Sequence, residues 1–324
     1  MRHPWLAAVS AALVLVSAHA QDNKVRPGPW ATGRVPEGWV VHNTEHYHVQ
    51  SQCGIEKAKR LAAHMEAMNK TYRSLFNPEK GGDKPQTIKL FVDRENFDDY
   101  GAPPSAAAYY SPSDREMVCY DTGKWMDEAP APAAKGPTTG PKPEEGTPED
   151  AIAKAREQLE KRMRRQEDLW KMDLLGCAAH EGWHQYFHWY VVSFVELPSW
   201  VNEGMGDYFY TAVPKGKAGT KRVPSKLGGI NSGRLMIAKA ALRQNRFIEA
   251  SALIKYSKNQ YYANGSICYA EGWSLCQFLL HSGNPKYAKI IPNFIRLVRD
   301  DTNMEVVTQK AFKGIDMAQL DKEF

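Results

Sequence analysis

The chain has 324 residues, with 42 Lys and Arg against 37 Asp and Glu, for a formal net charge of +5. This length suffices for one large domain or for two modest lobes sharing a cleft. The charge is spread along the sequence instead of gathering in a basic patch interleaved with aromatics, which argues against nucleic acid as a partner.

The first residues read as an export signal. Arg2 and His3 lead into an apolar run from Leu6 to Val16, and Ala18-His19-Ala20 supplies a small-x-small cleavage site. The run is too short to span a bilayer, and no other stretch approaches transmembrane length. Residues 1–20 are therefore expected to be a signal peptide, with the mature protein secreted or periplasmic and without stable membrane insertion. An oxidising compartment allows one or two disulfides among Cys53, Cys119, Cys177, Cys268 and Cys276. Cys53 with Cys119 is the expected pairing, whereas Cys268 and Cys276, about 12 Å apart along one helix, cannot pair.

Residues 21–126 read as an N-terminal α/β lobe, patterned from residue 43 onward. Glu45 to Gln50 alternates as a strand, and the histidines beside it (His42, His46, His48) read as strand polar residues. Ile55 to Phe76 carries Leu61, Met65, Met68, Tyr72 and Leu75 at helical spacing, ended by Asn77-Pro78. Thr87 to Val92 is a second strand. Ala107 to Tyr110 and Met117 to Tyr120 flank Ser111-Pro112-Ser113-Asp114 as a hairpin. Met117 to Tyr120 is the candidate edge strand for pairing with an extended peptide.

Residues 127–150 hold six prolines, three glycines and no aromatic, the composition of a flexible insertion. Residues 151–324 then read as a helical catalytic lobe, with helices expected over 151–170, 174–192, 199–212, 230–244, 265–281 and 286–299. Lys161, Arg162, Arg164 and Arg165 alternate with Glu157, Glu160 and Glu167, the pattern of a solvated helix face. The fold class is thus α+β: a small α/β lobe and a mostly helical lobe, with the functional site between them.

That site announces itself in His180-Glu181-Gly182-Trp183-His184, inside an apolar helical stretch. Residues i and i+4 lie about 40° apart around a helix and about 6 Å apart along it. Both imidazoles can therefore reach one Zn²⁺ at ~2.0–2.1 Å. Glu181 falls beside the metal, where its carboxylate can take a proton from a metal-activated water. After eighteen intervening residues comes Asn202-Glu203-Gly204, opening another helix, so Glu203 is the candidate third ligand. Asp207, four residues on, shares its helix face and can accept the free N–H of a ligating histidine. His188 continues the series but lies a turn too far along to ligate, and reads as a packed or rim histidine. Cys177 reads as a small buried residue.

H-E-x-x-H, eighteen residues, then Asn-Glu-Gly resembles the gluzincin zinc metallopeptidases, a peptidase-MA-like group that includes the M1-type aminopeptidases and, more distantly, thermolysin. Cys268-Tyr269-Ala270-Glu271-Gly272-Trp273-Ser274-Leu275 is similar to the Tyr-Glu-Lys-Gly-type segment of the M1 enzymes, and Tyr269 stands sixty-six residues after Glu203. The resemblance runs from about Thr87 to the C-terminus and is most like the small bacterial gluzincin domains. It implies a zincin, thermolysin-like fold, Zn²⁺ on His180, His184 and Glu203, Glu181 as general base, and Tyr269 as donor to the oxyanion of a peptide or protein substrate. The Gly-x-Met-Glu-Asn motif that holds a free α-amino group in M1 enzymes is missing, so aminopeptidase activity is not implied. The same site would serve a zinc amidohydrolase acting on cell-wall cross-links. A non-catalytic module retaining the zincin fold is the rival from another class; retention of Glu181 beside all three ligands weighs against it.

Overall fold

In the computed structural model, residue 30 and residues 33–78, 84–104, 106–126, 172–193, 195–212, 214–215, 223–224 and 227–324 are described. The expected signal peptide (1–20), the Pro-rich insertion (127–150) and the charged helix (151–170) lie outside them. The described chain is mixed α+β. Its first part builds a five-stranded sheet from β1 (Val40–Asn43), β2 (Tyr47–Ser51), β3 (Gln86–Phe91), β4 (Ala108–Ser111) and β5 (Glu116–Tyr120) in the order β1-β2-β3-β5-β4. The β2–β3 and β3–β5 pairs are parallel; β1–β2 and β4–β5 are antiparallel.

Alternation explains the strands. In β2, Tyr47 and Val49 are buried while His48 and Gln50 are only half-buried. The inward side chains meet Leu61 and Met65 of α1 (Ile55–Leu75); Leu61, Met65, Met68 and Tyr72 recur at helical spacing and are fully buried, while Leu75 at the helix end is exposed. A short α2 (Arg94–Asp99), capped by the Asp93 carboxylate accepting from the Asn96 N–H, follows β3.

The hairpin forms, but its members exchange the expected roles. Ser111 pairs with Glu116, so the turn between them folds β4 back on the outer side. Met117 to Tyr120 falls in an interior strand, between β3 and β4, and the edge strand is β4. Both strands of the hairpin are buried on both faces, so burial does not distinguish them; the parallel pairing of β5 with β3, Leu90 opposite Cys119, places β5 inside and leaves β4 at the edge.

The second part is helical: α3 (Leu174–Tyr186), α4 (Ser199–Tyr210), α5 (Ser232–Arg243), α6 (Ala250–Leu253), α7 (Lys258–Ala263), α8 (Gly265–His281), α9 (Ile290–Leu297), α10 (Met304–Ala311) and α11 (Met317–Glu323), with a two-residue-strand hairpin, Pro214–Lys215 and Val223–Pro224, after α4. The stretch expected as one helix to Val192 changes pitch. Phe187–Val191 is a π-turn, closed by Val192 N–H to Phe187 C=O at 3.0 Å. Helix α3 joins the two parts. Leu174, Leu175 and Ala178 pack into the sheet core, while Ala179, Trp183 and Tyr186 pack into the helical core.

All five cysteines are free thiols, so the expected Cys53–Cys119 disulfide is not formed; Cys53 is half-buried with its thiol on the Phe91 carbonyl, and the buried Cys119 thiol bonds the Lys89 carbonyl. Among the described residues no helix is long and apolar enough to cross a membrane.

Candidate metal centre

The centre is built where α3 crosses α4. Asp173 starts α3 by accepting the Gly176 N–H at 3.0 Å, and about two and three turns on the helix presents His180 and His184 to α4. The approach is close because α4 has glycine at the crossing. A Cβ on Gly206 would lie 2.6 Å from Cε1 and Nε2 of His180. Behind it, a Cβ on Gly204 would lie 2.5 Å from the Gly272 carbonyl, which lets α8 back α4 tightly.

Both imidazoles are oriented through Nδ1. His180 Nδ1 lies 3.1 Å from Asp207 Oδ1, and His184 Nδ1 lies 3.1 Å from Asn202 Oδ1. The acceptors are a carboxylate and an amide oxygen whose own NH₂ donates to Glu203 Oε1 at 3.2 Å, so each Nδ1 carries the proton. Both Nε2 atoms face one atom, Glu203 Oε2, at 3.2 Å from His180 and 3.7 Å from His184. The buried Glu203 charge calls for a cation at this point, either a proton carried by His180 or a metal ion. Ligand atoms ~2.0–2.2 Å from a tetrahedral ion stand about 3.3–3.6 Å apart, close to the spacing found.

Ligand-capable atoms of His180, Glu181 and His184 also lie within 4.8 Å of one another. Glu203 is the candidate third ligand, one of its oxygens lying within 3.7 Å of both Nε2 atoms. Its other oxygen is held by Tyr262 OH at 2.7 Å. Burial alone would raise the Glu203 carboxyl, but His184 and His180 together hold it well below the ordinary range, so it is ionised. Burial works against charge on His180 too, yet its bonds to Asp207 and Glu203 prevail and raise it to about 10. The field at its Nε2 favours positive charge.

Glu181 is 1 % exposed, with Oε2 accepting the Tyr110 N–H of β4 at 3.0 Å. Its Oε1 has no hydrogen-bond partner among the described residues. Burial chiefly raises this carboxyl, against the lowering influence of His184 and His180, which makes it a stronger base than a surface glutamate. A slot of about 60 Å³ opens beside it, bordered by Tyr110, Glu181, His184, His188, Leu197 and Asn202. His188 is thus a rim residue, its Nδ1 2.8 Å from Tyr110 OH.

Tyr269 lies on α8, fully buried, and does not border the slot. Its hydroxyl has no hydrogen-bond partner among the described residues, and after burial the largest influence raising its pKa is the Glu203 charge. Two contributors escaped the sequence reading. Tyr262 lies six residues before the Cys268–Leu275 segment that resembles the M1 enzymes, and that proximity was the available signal. Arg234, 1 % exposed on α5, places Nε 2.6 Å from Asp207 Oδ2 and its guanidinium carbon 4.8 Å from the centre of the Tyr269 ring. Nothing local distinguishes it from the solvated arginines of other amphipathic helices. The clustered His46 and His48 do not converge on a common point; His46 bonds Glu66 at 2.7 Å and His48 bonds Asn43.

No curated protein matches the chain. A family model described as a protein of unknown function (DUF1570) matches residues 175–296, the span that contains α3 from its second residue, α4, α8 and every side chain of the candidate centre except Tyr110 of β4.

Proposed function

We propose that the protein is an exported zinc-dependent peptidase of the gluzincin type, with His180, His184 and Glu203 as ligands, Asp207 orienting His180 and Glu181 as general base. The observation that carries this reading is the convergence of both Nε2 atoms on Glu203 Oε2, at 3.2 and 3.7 Å. A buried N₂O donor set with an adjacent open slot suits Zn²⁺ in a catalytic, not a structural, site. The sheet edge lying over the metal-binding helix, with Tyr110 N–H turned to Glu181, supports the zincin-like fold that the resemblance implies.

When bound, Zn²⁺ would supply Lewis acidity to a carbonyl oxygen and acidify a water. The chain supplies the remainder. Glu181 Oε2 is anchored by Tyr110 N–H, leaving Oε1 to accept the proton of the attacking water and pass it to the leaving amine. Asp207 and Asn202 fix the ring orientations of His180 and His184. Tyr262 donates its hydroxyl proton to Glu203, whereas the hydroxyl of Tyr269, like that of Tyr261, has no hydrogen-bond partner among the described residues and would be left to steady a developing oxyanion.

Metal analysis of the purified protein and turnover by Glu181→Gln test the reading. The variant should bind zinc at the wild-type stoichiometry and hydrolyse no peptide. Undiminished hydrolysis by it would remove Glu181 from the mechanism.

A further inference from the structure

On the far side of the Glu196–Leu197 segment lies a second, much larger hollow of about 720 Å³. Its walls are chiefly apolar: Leu197, Ile254, Tyr256, Met304, Phe312 and Met317. We propose that this hollow continues the metal cleft and receives a bulky apolar side chain of an extended polypeptide substrate, a reading that rests on the peptidase function proposed above.

Three observations carry it. Glu196 and Leu197 border both the slot and the hollow, so a chain leaving the slot over this segment enters the hollow directly. The sizes are complementary. About 60 Å³ beside Glu181 admits only a small group, whereas about 720 Å³ matches cavities that enclose drug-sized ligands. Apart from the buried Ser199, the polar lining residues are at least half-exposed: Lys258 Nζ bridges to Glu196 Oε1 at 2.6 Å, Thr308 is half-exposed, and Lys255, Glu305 and Gln309 are exposed. Sugar polymers need hydrogen-bonding walls, so an apolar hollow favours polypeptide over cell-wall material. The preferred substrate then has small residues at the scissile bond and a Leu, Met or Phe several residues away, which calls for an internal segment of a chain.

The test uses zinc-loaded full-length Glu181→Gln protein and fluorescently labelled peptides that are small-residue throughout or carry one Leu or Phe at successive positions. Anisotropy should find one position at which the apolar residue tightens binding ~10- to 100-fold, the range expected for burying such a side chain. Thr308→Arg and, separately, Gln309→Trp should erase that preference while leaving zinc content and the affinity of the small-residue peptide unchanged. An intact preference in both variants would overturn the proposal. So would tighter binding of muropeptide fragments than of any peptide, or a dimer in sedimentation that Thr308→Arg dissociates. If wild-type enzyme cleaves peptides with no positional preference, the hollow is not a subsite although the peptidase reading stands. If the preference is found but wild-type protein cleaves nothing, the hollow binds peptide and the peptidase reading fails.

Discussion

A single methyl group at Gly206 should dismantle the centre while sparing the fold. The added Cβ of Gly206→Ala would lie 2.6 Å from Cε1 and Nε2 of His180. Carbon contacts settle at ~3.5–4.0 Å, so the ring must retreat by about 1 Å. A zinc–nitrogen bond of ~2.0–2.1 Å cannot follow that shift, and the retreat also strains the 3.1 Å bond to Asp207. Disturbing such an orienting contact commonly costs 10–100-fold in metal affinity, and displacing the ligand itself should reach the upper end. A 100-fold loss removes ~2.7 kcal/mol of metal-linked stability at a fixed zinc concentration. The metal-free protein should suffer little, because alanine in a helix interior gains ~0.8–1 kcal/mol over glycine, offsetting the displaced ring. Chelator competition would give the zinc affinity, and thermal unfolding with and without zinc would separate the two effects. Wild-type zinc affinity in Gly206→Ala would refute the placement of His180 against α4 as a ligand. A collapse of the metal-free form alone would show that the crossing, not the metal, needs the glycine.

Tyr262→Phe should weaken zinc by about tenfold through the lost bond to Glu203, whereas Tyr269→Phe should leave zinc untouched and lower kcat with little change in KM. An unchanged kcat for Tyr269→Phe would make that tyrosine a packing residue. Arg234→Met leaves Asp207 buried without its cation and should cost about 3–5 kcal/mol in urea unfolding, since both side chains are 1 % exposed; a loss below ~1 kcal/mol would mean that the ion pair is dispensable. Burial raises Glu271 from 4.5 to about 8, against the Ile248 N–H that it accepts. The unfolded chain ionises near 4.5 while the folded protein keeps the proton, so stability is highest below that pH and falls as pH rises toward 8. Glu271→Gln should therefore gain stability progressively from pH 5 to pH 9, by at most ~5 kcal/mol. Parallel stability profiles for variant and wild type would refute the shift.

How much of this was legible beforehand follows from the range of the forces involved. His180, Glu181 and His184 share one helical turn, and Asp207 lies one turn beyond Glu203, so helical periodicity alone places each pair. The approach of α4 to α3 is tertiary, and the sequence hinted at it only through the spacing to Asn202-Glu203-Gly204. Arg234 was illegible because a buried guanidinium and a solvated one look alike in sequence; only the packing of α5 brings it to Asp207. The swap of β4 and β5 has a similar cause. The turn Pro112–Arg115 fixes their mutual pairing, but which strand faces β3 depends on the parallel register Leu90 to Cys119, decided far along the chain. Short helices such as Lys258–Ala263 escape periodicity because too few residues carry the pattern, although its Ser257-x-x-Gln260 capping box could have been read.

Charge balance gives an independent argument for a divalent ion at this centre. Around the two imidazoles the described residues bury three carboxylates, Glu181, Glu203 and Asp207, and one guanidinium, Arg234. With a metal ion in place, both imidazoles would ligate as neutral rings through Nε2, their Nδ1 hydrogens being committed to Asp207 and Asn202. With every carboxylate ionised, that arrangement carries two net negative charges in a region where isolated charges cost several kcal/mol each. A doubly charged cation on the Nε2 atoms and Glu203 would cancel them, whereas a single proton on His180 would cancel half. Arg234 fits this account, since its pairing with Asp207 brings the total to the charge of one divalent ion, not a trivalent one. Replacing Arg234 by a neutral residue should therefore raise the affinity for cations generally, while the disrupted Asp207–His180 contact lowers the preference for zinc over calcium. A variant that lost affinity for both ions alike would contradict the electrostatic argument, and would assign Arg234 to packing alone.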